Sequence, residues 1–104
     1  MDDLISLLTS TYTVDSIGQR IPTETATQVW AHIKSVSRSE WFRAGEDGLK
    51  PSFVMVTNKA NYNGQRTVEY AGKRYSVYRT YVGDDADNIE LYVEEKAGDR
   101  SDDS

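Results

Sequence analysis

The sequence predicts an all-β domain, a small antiparallel barrel or sandwich of about six strands with one short helix in a long loop. Three observations carry that expectation. Apolar residues alternate with period two in several segments. Glycines and Asp/Asn clusters punctuate the chain between those segments. Only SRSEWFRAGEDGLKP combines helix-start and helix-stop chemistry. A chain of 104 residues is one domain and can bury a core without disulfide or metal staples. Closure, or near closure, of the sheet follows because open edges of this length invite aggregation.

Residues 5–14 (ISLLTSTYTV) are rich in β-branched side chains, and Ile5, Leu7 and Thr9 share a face. Leu4, Leu7 and Leu8 would also suit one helical turn, but the threonines favour a strand. Residues 15–18 form a turn, and residues 19–22 lead into a loop of threonines. Between residues 28 and 36, Val29, Ala31 and Ile33 alternate with Gln28, Trp30, His32 and Lys34, the pattern of a half-buried strand. Residues 52–57 are a compact β-prone run. Val68 and Tyr70 then lead into Ala71 and Gly72, and the chain returns as KRYSVYRTYV; Gly72 suits the left-handed position of a tight hairpin turn. After GDDADN, Ile89, Leu91 and Val93 share one face. Ile33, Phe53, Met55, Val77, Leu91 and Val93 are the expected core.

The helical excursion has its own grammar. Ser37 followed by Glu40 fits a capping box, the serine oxygen accepting from the Glu40 N–H while the carboxylate reaches back to the Ser37 N–H. Val36 and Trp41 occupy the two positions of a hydrophobic staple. Gly48 supplies a left-handed stop and Pro51 prevents the helix resuming. The one helical turn expected in the chain therefore lies within residues 38–47. Trp41 and Phe42 diverge by roughly 100° on such a turn, so one can pack on the barrel while the other meets a neighbour. The segment admits two readings, a functional excursion or a crossover that plugs a barrel end.

Composition excludes several function classes. There is no cysteine, hence no thiol nucleophile and no Cys-type zinc cluster. His32, the only histidine, falls with Lys34 on the polar side of its strand, where it is solvated rather than a base. The cluster Asp84, Asp85, Asp87 and Asn88 lacks the glycine and glutamate of a calcium loop and suits a solvated turn. Gly45, Gly48, Gly64 and Gly72 serve turns and make no phosphate cradle. No catalytic residue, metal or cofactor is expected. The net charge is −5, of which −3 falls from Glu94 onward (Glu94, Glu95, Asp99, Asp102 and Asp103 against Lys96 and Arg100). Arg38, Arg43, Lys50, Lys59 and Arg66 are scattered, so no basic stripe exists to neutralise phosphates. Residues 97–104 lack apolar groups and are expected to be disordered, leaving residues 1–96 as the domain. The opening Met-Asp-Asp has no positive n-region, and the apolar run that follows is too short to span a bilayer, so a soluble cytoplasmic product is expected.

In order along the chain, ISLLTSTYTVDSIGQRIPTET, VWAHIKSVSRSEWFRAGEDGLKPSFVMVT, YNGQRTVEYAGKRYSVYRTY and IELYVEEKAG resemble the head-closure, or head-to-tail joining, proteins of long-tailed bacteriophages. The similarity covers roughly residues 4–98, and SVSRSEWFRAGEDGLKP with YNG…YAGKRYSVYRTY is its most specific part. The resemblance implies a virion protein of the head–tail junction, assembled from the host cytoplasm as a homo-oligomeric ring beneath the portal or its adaptor. Such a ring joins the capsid to the tail completion or tail-terminator proteins, and packaged DNA passes through it without sequence-specific binding. In some members a loop between the second and third main strands closes the channel. Carried onto this chain, that loop is the stretch bearing Ser37, Arg38, Glu40, Trp41, Phe42, Gly45, Gly48, Lys50 and Pro51. Tyr62, Tyr70, Tyr75, Tyr78 and Tyr81 become candidate subunit contacts, about half of them core by strand alternation. No enzymatic activity and no membrane association are implied.

Two other classes stay open at this level. One is a monomeric small-barrel module that holds a peptide or single-stranded nucleic acid on aromatic faces, the nucleic-acid version being disfavoured by the acidic balance. The other is a small enzyme or regulator with a carboxylate site near residues 84–87.

Overall fold

The computed structural model describes residues 2–83 and 87–96. Its strands are β1 (Asp2–Val14), β2 (Arg20–Lys34), β3 (Pro51–Asn58), β4 (Thr67–Tyr70), β5 (Lys73–Val82) and β6 (Asn88–Glu95), with one helix, α1 (Arg38–Glu46), between β2 and β3. All pairings are antiparallel, and the sheet closes in the order β1-β2-β3-β6-β5-β4. The small all-β barrel is therefore the fold. The predicted tail at residues 97–104, and Asp84, Asp85 and Ala86 of the acidic turn, lie outside the described residues.

Strand alternation builds the core. Ile5 and Leu7 of β1 face Val29 and Ala31 of β2, Met55 of β3, Val68 of β4, Tyr75 of β5, and Ile89, Leu91 and Val93 of β6. Ile33, Phe53, Tyr62, Tyr70 and Val77 close over this set while half-buried, so three of the six expected core residues are fully buried and three form its lid. Phe53 meets the rings of Tyr70 and Tyr75 edge-on at 5.7 and 5.8 Å, a favourable arrangement for aromatic quadrupoles. The β4–β5 turn is the predicted two-residue turn, with Ala71 and Gly72 both left-handed at φ 55° and 81°.

Two expectations are corrected. Residues 20–27, anticipated as a threonine-rich loop, belong to β2, which pairs with β1 in unbroken register from Asp2↔His32 to Val14↔Arg20. The barrel takes up only the base of this hairpin, since β4 pairs with β1 at Ser6, Leu7 and Leu8 and β3 with β2 at His32, Ile33 and Lys34. The rest projects as a two-stranded arm. On the face that continues the core ladder, Thr9↔Thr25 and Thr11↔Thr23 replace the Ile5↔Val29 pair. Threonine keeps the β-branched preference for a pleated surface while tolerating water, so the ribbon persists beyond the core. Pro22 is tolerated because β2 has no second neighbour there. At the tip, the Asp15 carboxylate accepts from the Ile17 and Gln19 N–H groups at 3.0 and 2.8 Å, and Gly18 takes φ 85°. The second correction is a further helical turn, of the 3₁₀ type, at Lys59–Asn61, capped by Asn58 Oδ1 on the Ala60 N–H at 2.9 Å. A short polar side chain at a strand end competes locally for the backbone, which period-two reasoning does not detect.

Candidate functional site

Residues 37–51 carry the candidate site. Ser37 sits in extended backbone (φ −70°, ψ 159°) and its Oγ accepts from the Glu40 N–H at 3.1 Å, the first half of the predicted capping box. At the other end, the Leu49 N–H donates to the Ala44 carbonyl and the Gly48 N–H to the Gly45 carbonyl, both at 3.0 Å, with Gly48 at φ 81°. That pair of bonds is a Schellman closure, which needs a residue tolerant of the left-handed region. Lys50 donates its N–H to Glu94 Oε1 at 3.2 Å, and Pro51, buried, opens β3.

The second half of the capping box is not formed. The Glu40 carboxylate, 6% exposed, turns away from the Ser37 N–H and into the wall of the barrel. Arg79 approaches it with two donors, Nη2 at 2.6 Å from Oε1 and Nε at 3.3 Å from Oε2. Tyr78 donates its hydroxyl to Oε2 at 2.7 Å, and Arg43 donates Nη2 to Oε1 at 2.9 Å. A guanidinium and a phenol on the wall outcompete a single exposed N–H because charge-assisted bonds are roughly twice as strong as neutral ones.

Two consecutive strand residues reach one carboxylate because β5 is bulged there. Opposite β6, Val77 pairs with Val93 and Arg79 with Tyr92, which leaves Tyr78 as the extra residue. In a regular strand, neighbours point to opposite faces; a bulge re-aims one of them. The wall continues outward from the seat. The Arg79 guanidinium lies 3.9 Å from the Tyr92 ring centroid, Tyr92 donates to Glu90 at 2.7 Å, and Glu90 is 3.7 Å from Lys34.

These contacts set the ionisation. The Arg79 hydrogen bond, opposed by burial and joined by Tyr78 and Arg43, brings the Glu40 pKa down to about 2. Burial and then the Glu40 carboxylate push the Tyr78 phenol well above its ordinary value. Tyr92 is raised to about 12, by burial first and Glu90 second. Glu40 holds Arg79 above its usual pKa. The cluster is thus a fixed carboxylate–guanidinium pair with a neutral phenol, suited to holding a helix in place rather than to moving protons near neutrality.

Outward, the segment presents two large aromatic side chains among charged ones. Trp41 is 48% and Phe42 64% exposed, so neither is sequestered by the barrel, and Arg38 and Gly45 are exposed beside them. The candidate tyrosines divide. Tyr75 packs the core, where it cannot meet a neighbour from the folded state, because its alternation turns it inward with Val77. Tyr62 is half-buried, donating its hydroxyl to the Gln65 carbonyl at 2.6 Å, and Tyr70, also half-buried, donates to Asp3 Oδ2 at 3.3 Å. Tyr78 is engaged by Glu40, and Tyr81 is exposed.

Two exposed groups lie outside the residues singled out from the sequence as site candidates. The arm presents Tyr12, Val14, Ile17 and Ile21, with the Arg20 guanidinium 4.4 Å from the Tyr12 ring centroid. Leu4 and Trp30 form a directly opposed cross-strand pair on the outer face. Trp30 was already legible by parity, since it alternates with Val29 and Ala31; the arm was hidden by its threonines. His32 lies on the same outer face, 2.9 Å from Asp2. Among the described residues, no cluster of His, Asp and Glu could hold a metal, and no helix is long and apolar enough to cross a membrane. No protein-family model matches the chain, and no curated protein is significantly similar to it.

Proposed function

We propose that the chain is a structural subunit of a phage head-to-tail connector, forming a ring below the portal or adaptor that joins capsid to tail, with residues 37–51 as its assembly and channel-facing element. The observation that carries this reading is the orientation of α1. It is closed at both ends and pinned to the barrel, yet Trp41 and Phe42 point into solvent, an arrangement that leaves a pre-ordered apolar surface for another protein. The acidic balance supports a conduit that lets DNA pass, because net negative charge weakens phosphate binding. Two unlike surfaces on one subunit, the helix and the arm, suit the heterologous contacts of a ring.

The test is complementation of particle assembly. Particles lacking the protein should be full, tailless heads that leak DNA, and wild-type protein should rescue them. Trp41→Ser with Phe42→Ser should leave the monomer folded and fail to rescue. Normal tailed particles from that variant, or from the deletion itself, would refute the proposal.

A further inference from the structure

The helix is well capped and poorly packed. Ser37 closes its first turn, and the bonds from Gly48 and Leu49 close its last, so its terminal backbone groups are largely satisfied within the segment. Towards the barrel it buries two side chains, the Ala44 methyl and the Glu40 carboxylate. An apolar stripe ordinarily docks a helix of this kind; here the large apolar side chains face water. Beyond Ala44, the half-buried Leu49 and the partly covered Trp41, the attachment resides in one carboxylate and its seat.

The seat has partners other than its occupant. Without Glu40, Arg79 still stacks on Tyr92, which is tied to Glu90, and at 33% exposure its guanidinium reaches water. No isolated charge is stranded in a dry interior, which is what normally makes breaking a buried ion pair disruptive. The inner face of β5 meets the core through Tyr75 and Val77 and takes no part in the cluster.

We propose that residues 38–50 form a releasable strap, held on the barrel by Glu40 in its Tyr78–Arg79 seat, which lifts away as a unit while the six strands stay folded. The inference goes beyond the connector reading and does not depend on it. The bulge at Tyr78 is then part of the device, since a regular β5 would offer the carboxylate one of the two donors. Lys50, bonded to Glu94, and the half-buried Val36 mark the two points where the strap joins the wall.

Amide hydrogen exchange on the purified full chain at low urea concentrations tests this. A nine-residue helix lifted off the barrel is too short to persist in water, so its internal hydrogen bonds open with it. In the wild type, strap amides such as Trp41, Asp47 and Leu49 should therefore exchange by a local opening nearly independent of urea, whereas amides of β3, β5 and β6 should follow global unfolding. In Glu40→Gln, which preserves shape, the strap amides should exchange about tenfold to a hundredfold faster with barrel amides unchanged, from the loss of charge-assisted bonds. If wild-type strap amides share the urea dependence of the barrel, the two are one cooperative unit and the proposal fails. It fails equally if Glu40→Gln accelerates barrel and strap alike or does not fold.

Discussion

Replacing residues 12–22 by Asn-Gly should delete the outer arm and leave the barrel's stability within about 1 kcal/mol of the parent. Thr11 and Thr23 are direct cross-strand partners in the same hydrogen-bonding phase as Asp15 and Gln19, and Asn-Gly supplies the twisted turn that joins such a pair. Every deleted residue except the half-buried Asp15 is exposed, so almost no apolar area returns to water, and at ~25 cal/mol per Å² the hydrophobic loss is small. The retained Glu24 makes two 2.8 Å bonds to Arg74, but the pair is 39% and 33% exposed, which limits it to about 1 kcal/mol or less even with Glu24's pKa lowered mainly by that hydrogen bond. Shortening the connection gives back part of the closure entropy, about 0.6 kcal/mol for each halving of a flexible loop. Urea unfolding followed by circular dichroism, with the slope as a check on exposed area, measures the balance. A midpoint drop equivalent to more than about 3 kcal/mol would refute the reasoning, because it would mean that the arm supports the barrel rather than extending from it.

Leu91→Ala removes a side chain with 0% exposure from the centre of β6 and should lose about 2–5 kcal/mol in the same urea assay. Acid should loosen α1 on the barrel, whereas neutral pH leaves it in place. The folded pKa of Glu40 is depressed from 4.5 to about 2, so its contribution is complete above pH 4.5 and is lost as the pH falls towards 2. Across that window Arg79 stays charged and Tyr78 and Tyr92 stay neutral, so strap-amide protection in the wild type should fall by about a hundredfold, and in Glu40→Gln should change far less. Native mass spectrometry of the purified chain should show mainly monomer, ring assembly requiring the connector partner; a stable closed dimer would count against the proposed role.

The barrel was largely legible because its determinants are local. Period-two alternation at Val29, Ala31 and Ile33 and at Ile89, Leu91 and Val93 assigns the inner face of β2 and β6 whatever their neighbours are, and the turn residues Ala71 and Gly72 set one register outright. The caps of α1 were legible for the same reason, each depending on residues within five positions of one another. What tertiary structure decided was where side chains went when local and distant partners competed. Glu40 has a local partner in the Ser37 N–H and a distant one in Arg79, and the distant cation wins because a charge-assisted pair outweighs a neutral bond, a comparison invisible until a bulge in β5 brings Tyr78 and Arg79 to the same face. The arm shows the converse. Its threonines satisfy strand and loop alike as isolated residues, and it is pairing along the whole of β1 that makes them strand, since each cross-strand pair depends on the register set by the one before it.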